Sequence, residues 1–124
     1  MLTTTLTPAA LATCYSVEDI KRILAEACEA AYKAAHTYEH DVMQGRWGAC
    51  GFAWVNIAGI KGNTKIGRRL KEAGIGRSWT KAYQIWNPSG YPTQNVDTLL
   101  AGAEAAALVF KRYGFDAYAG SRLD

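Results

Sequence analysis

The sequence predicts an α/β fold, with α+β as the alternative: one small sheet of about three strands covered by three helices, in the order α-β-α-β-α-β. Three observations predict it. Long stretches carry apolar residues at helical spacing, bounded by capping residues and glycines. Shorter stretches rich in aromatic and β-branched residues alternate with them. The chain has 124 residues, 49% hydrophobic and 20% charged, the size and balance of a single domain with a core of its own.

Residues 1–15, MLTTTLTPAALATCY, are expected to be a loose or partly helical lead-in to a domain spanning 16–124. They lack a basic n-region and contain Pro8, so they do not read as a signal peptide. Ser16 opens the first helix, with Glu18 and Asp19 in the first turn where negative charge complements the helix dipole. Ile20, Ile23, Leu24, Ala27, Ala31, Ala34 and Tyr38 form its apolar stripe, and Gly45 ends it. So many alanines on that stripe require a close neighbour, the sheet or a second subunit.

Cys50 to Ile57 reads as a buried or half-buried strand. Gly59 and Gly62 follow, and Asn63 or Thr64 caps a short helix running to about Ala73, with Ile66 and Leu70 facing in and Lys65, Arg68, Arg69 and Lys71 facing out. Gly74 closes that helix. Trp79 to Trp86 (WTKAYQIW) reads as the second strand and Asn87 to Pro92 (NPSGYP) as a turn. Asn95 or Thr93 caps the last helix, whose buried face is Val96, Leu99, Leu100, Ala103, Ala107 and Phe110, ending at Gly114. Phe115 to Gly120 is the last strand, and SRLD follows it. Helical links between strands favour parallel or mixed pairing. Three strands leave open edges, so a homo-oligomer is expected.

The net charge of +3 hides an uneven distribution: −3 over residues 1–45, +7 over 46–83 and −1 over 84–124. The middle third is therefore where a phosphate, polyanion or acidic partner would be held. Cys14, Cys28 and Cys50 are odd in number and form no CxxC pair, which argues against a disulfide framework or zinc ribbon and fits a reducing cytoplasm. No stretch reaches the ~18 apolar residues of a membrane span.

Within the basic third, GIKGNTKIGRR (Gly59 to Arg69) places a flexible turn and a helix N-terminus after a strand. Unpaired helix N–H groups and the dipole make such a place an anion site. It is neither a Walker A loop nor a GxGxxG fingerprint. Its functional reading is phosphate binding through backbone N–H groups, Lys61, Asn63, Thr64, Lys65, Arg68 and Arg69; the plainer one is a solvated basic helix face. The four tryptophans lie in or beside this third. Trp54 and Trp86, inside strands, are assigned to the core, whereas Trp47, Trp79 and Tyr91 flank elements and are candidates for stacking on a base. Arg122, after the last strand, is placed to complete the pocket.

Two further motifs carry simpler explanations. HTYEH at His36 to His40 matches the HxxEH pattern of inverted zinc peptidases, but a polar helix offers five such residues by chance, and surface histidines are the better reading. Cys50 as a nucleophile would need a base, with only His36 and His40 on offer from another helix, so it is expected to be a buried structural cysteine. No metal, cofactor or catalytic residue is assigned.

RWGACGFAWV (Arg46 to Val55), GRRLKEAG (Gly67 to Gly74) and AYAGSRLD (Ala117 to Asp124) resemble small tailed-bacteriophage proteins of no assigned activity, over roughly the C-terminal two thirds of the chain. The resemblance implies a phage accessory protein acting in the host cytoplasm. The leading expectation is a non-enzymatic counter-defence protein that sequesters a phosphate-bearing ligand, a nucleotide immune signal, in a basic pocket between subunits. The alternative is an inhibitor that binds a host defence protein or a nucleic acid directly, and an enzyme built on Cys50 or on His36, Glu39 and His40 is the third class.

Overall fold

The computed structural model describes residues 4–78 and 80–124, so the candidate Trp79 lies outside the described residues. Over Pro8–Cys14 the lead-in is a helix, α1, begun by Pro8 in its first turn and capped by Thr7, whose side chain accepts from the Ala10 N–H at 3.2 Å. Leu11 is fully buried, and α1 packs against the short helix α3, Lys65–Glu72.

Helix α2 spans Val17–Tyr38 and begins with a reciprocal capping box. The Asp19 N–H donates to Ser16 Oγ at 3.2 Å and the Ser16 N–H to Asp19 Oδ2 at 2.9 Å. It runs into a π-helical turn, Glu39–Met43, where the chain leaves through Gln44 at φ 53° and Gly45 at φ 76°. Ile20, Ile23, Ala27, Ala31 and Ala35 are its buried residues; Ala34 and Tyr38, expected there, are half-buried beside them. The neighbour that the alanines call for is α4, Val96–Arg112. Contact is so close that a Cβ on Gly102 of α4 would lie 3.0 Å from the Ala31 carbonyl oxygen.

The fold is a mixed α+β one. Among the described residues the sheet has four strands, not three: β1 Gly51–Ala58, β2 Gly76–Arg77, β3 Tyr83–Trp86 and β4 Asp116–Leu123, in spatial order β2-β3-β1-β4. Every pairing is antiparallel. Two features separate this from the expected α-β-α-β-α-β order with parallel or mixed pairing: α1 precedes α2, and the stretch read as one strand from Trp79 contributes only Tyr83–Trp86, paired with Gly76–Arg77 as a hairpin. The helical links do join strands of like direction, β1 to β2 through α3 and β3 to β4 through α4. In each case an oppositely directed strand is inserted between them, so no parallel hydrogen bonds form.

β1 and β4 pair without a bulge over eight residues, from Gly51 opposite Leu123 to Ala58 opposite Asp116. SRLD, expected as a tail, therefore largely belongs to the strand. Side-chain alternation sends Ala53, Val55 and Ile57 of β1, Tyr83 of β3 and Ala117 of β4 into a single core with Ile66, Leu70, Leu99, Ala103, Phe110 and Phe115. Helix α4, which packs against both β1 and β4, lies on that side. No described helix is long and apolar enough to cross a membrane.

Candidate functional site

Among the described residues, no helix packs on the opposite face of the sheet. Alternation puts Phe52, Trp54 and Asn56 of β1, Gln84 and Trp86 of β3, and Tyr118, Gly120 and Arg122 of β4 on it. Phe52, Trp86 and Tyr118 are 39%, 52% and 48% exposed, and Trp54 is half-buried. The rings touch across strands. Trp86 and Trp54, directly opposite in the register, have centroids 5.0 Å apart, and Phe52 meets Trp86 edge-on at 6.2 Å. The Arg122 guanidinium lies over the Phe52 ring, 5.3 Å from its centroid, a cation–π contact. Trp54 extends over β4, where a Cβ on Gly120 would lie 2.6 Å from the indole nitrogen. Glycine is thus the residue that lets the ring lie against the strand. Next to this row, Gln84 Nε2 donates to Asn56 Oδ1 at 2.8 Å.

Trp54 and Trp86, expected in the core, therefore stand on an uncovered face. The apolar run from Cys50 to Ile57 suits a strand buried on both sides, and only its alternation distinguishes the two. The sites 53, 55 and 57 hold Ala, Val and Ile, while 52 and 54 hold the large rings. That period of two, with the small Gly120 opposite Trp54, is the signal that marks the aromatic face.

Of the residues assigned to a ligand from sequence, Arg122 is on this face. Trp47, almost fully exposed, belongs to the segment entering β1 at the same end of the sheet. Lys61, Asn63, Thr64, Lys65, Arg68 and Arg69 follow the other end of β1, about 20 Å from Phe52 at the ordinary rise of a strand. Tyr91 is elsewhere again, half-buried against Tyr32 and His36 of α2 at ring separations of 5.4 and 6.0 Å. In one subunit the nine described residues of that set do not converge.

The basic segment has much of its chemistry committed locally. Thr64 caps α3, accepting from the Gly67 N–H at 3.1 Å and donating to the Lys61 carbonyl at 2.6 Å. Arg68 donates to the Asn63 carbonyl at 2.8 Å. Arg69, expected to face out, is half-buried and turns back to α1, donating to the Ala12 carbonyl and to that of Tyr15 at 2.9 Å. Thr64, Lys65 and Arg69 nevertheless line a cleft of about 740 Å³ with Pro8, Ala9, Ala12 and Thr13 of the first helix.

The other motifs resolve into packing. His36 and His40 lie ring against ring at 4.1 Å, with His40 Nδ1 2.9 Å from the His36 carbonyl oxygen. Glu39 accepts from Thr98 Oγ1 at 2.8 Å, tying the π-helical turn after α2 to α4. Among the described residues no three His, Cys, Asp or Glu are grouped to hold a metal. Cys50, expected to be buried, is exposed, because the strand proper begins one residue later; Cys14 is exposed too. Burial raises the thiol pKa of half-buried Cys28. The chain matches no protein-family profile, no curated protein and no solved structure.

Proposed function

We propose that the protein binds single-stranded nucleic acid, or a nucleotide drawn from it, on the open face of its sheet. Phe52, Trp54, Trp86 and Tyr118 stack bases, and Arg122 meets a phosphate or a base plane. The observation that carries this reading is the contiguous row of partly exposed rings joined to an arginine. Exposed apolar patches of this kind on a small domain mark interaction surfaces, and a ring presents a π-face that every base can use, with stacking worth about 1–3 kcal/mol per base. The net positive charge favours a polyanion over an acidic surface's partner. In the phage setting that the sequence resembles, the protein acts by sequestering this ligand from a host defence system.

The test is a fluorescence titration with a short thymidine oligonucleotide, with Trp54→Ala and Trp86→Ala as variants. Quenching of tryptophan emission is expected, with affinity reduced roughly tenfold by each variant, in line with about 1–3 kcal/mol per stacked base. Affinity that is unchanged in both variants, while their circular dichroism matches the wild type, sinks the proposal.

The cleft beside α3 favours a second reading, a phosphate-bearing small molecule held by Thr64 and Lys65 where they line it with α1. Native mass spectrometry of the purified protein tests it. A bound nucleotide that disappears in Lys65→Glu supports the cleft. Arg69 is unsuitable for that test, since it holds α1 in place.

A further inference from the structure

β4 is an edge strand, and nothing among the described residues pairs with its outer side. The Asp124 N–H donates to the Cys50 carbonyl at 3.0 Å, so in the unbroken register the even-numbered residues of β4 turn their backbone groups to β1. Those of Ala117, Ala119, Ser121 and Leu123 therefore point outward along the edge. No proline, bulge or lysine, devices that keep natural edges from pairing, interrupts Asp116–Leu123, and its charged residues Asp116 and Arg122 belong to the outer face of the sheet.

A groove of about 400 Å³ runs beside this edge, between α4 and β4. Its helix wall is a stripe of Leu100, Glu104, Ala107, Leu108 and Lys111, and Leu108 is exposed at its centre. Glu104 and Lys111 lie on either side of the point between Ala107 and Leu108, at equal distance in sequence. Neither takes part in any of the ion pairs among the described residues. A surface on which opposite charges flank an apolar centre in this way is complementary to its own copy turned by a two-fold axis.

We propose that the chain forms a homodimer through β4. Two β4 strands pair antiparallel about a two-fold axis, with Ala119 facing its own copy and Ala117 facing Ser121 of the other. The two α4 helices then meet side by side, Leu108 against Leu108, with Glu104 of each copy opposite Lys111 of the other. Because odd-numbered residues pair with odd-numbered ones, side chains keep their faces. The sheet becomes eight strands wide, helices remain on one side, and the two aromatic faces join into one surface. This assembly does not depend on the identity of the ligand.

Native mass spectrometry and light scattering of the full chain test it. The expected particle has twice the 13.5 kDa chain mass. Ala119→Pro deletes an outward N–H that has no partner among the described residues and is expected to give a monomer with an unchanged circular dichroism spectrum. Glu104→Lys and Lys111→Glu should each weaken dimerisation at least tenfold, and the double variant should restore it. The charge swap keeps the question decidable if the proline variant fails to fold. A wild-type monomer at every concentration overturns the proposal, as does a dimer indifferent to both charge reversals.

Discussion

Arg69 shows how one residue can look functional in sequence and be structural in space. Its charge places it in the basic run with Lys65 and Arg68, yet its guanidinium satisfies the carbonyls of Ala12, in the last turn of α1, and of Tyr15, its C-cap. Carbonyls at a helix C-terminus lack partners within the helix, and hydrogen bonds from a charged group contribute more than neutral ones. Arg69→Ala should therefore lower stability by about 2 kcal/mol, discounted from the larger values of buried charged bonds because the side chain is only half-buried. Arg68→Ala, whose partner is the neighbouring Asn63 carbonyl, should change it by under about 0.5 kcal/mol. Urea denaturation of the two variants compares them, and equal midpoints would remove Arg69 from its role as the tie between α1 and α3.

At the scale of elements, the α2 N-terminus carries a pH dependence. The Ser16 N–H, and after it the Ser16 hydroxyl, hold the Asp19 carboxyl below the usual carboxylate range. A carboxylate with a lowered folded pKa contributes stability that is complete above its unfolded value of about 3.9 and is lost as pH falls through the folded value. The difference in thermal midpoint between the wild type and Asp19→Asn should accordingly be largest near neutrality and shrink in acid. A difference that is constant with pH would assign the effect to something other than this ionisation. The same capping chemistry is why the helices were legible in the sequence. Ser16, Thr64 and Asn95 all cap where their side chains predict, and the chain turns at Gly45, Gly74 and Gly114 with positive φ. The hairpin was not legible, since its turn contains no glycine: Lys81 adopts the positive φ, at 68°. Without that turn, Gly76–Arg77 could not be seen as a strand and the antiparallel insertion of β3 could not be foreseen. The candidate site was only partly legible for a related reason. Arg122 was marked by its place after a strand, but Trp54 and Trp86 were hidden by the usual preference of strand tryptophans for burial.

For the whole molecule, the sheet divides labour between its faces. Packing of α4 against the inner face, and of α2 against α4, supplies the core, while the rings on the outer face remain partly in water and contribute through cross-strand pairs of about 0.2–1 kcal/mol each. Stability and binding should then respond to different substitutions on the two faces of one strand. Ile57→Ala, at a fully buried inner position, is expected to lower stability by about 2–5 kcal/mol. The folded fraction of that variant should retain its affinity for the thymidine oligonucleotide. Phe52→Ala, five positions earlier and facing the other way, should change stability by no more than about 1 kcal/mol and weaken binding as Trp54→Ala does. The two quantities come from a denaturation curve and a fluorescence titration on each variant. If Phe52→Ala unfolds the protein as severely as Ile57→Ala, the outer rings belong to the stabilising core of the chain. If Ile57→Ala weakens binding while the protein is still folded, the two faces are coupled and the outer one is not an independent platform.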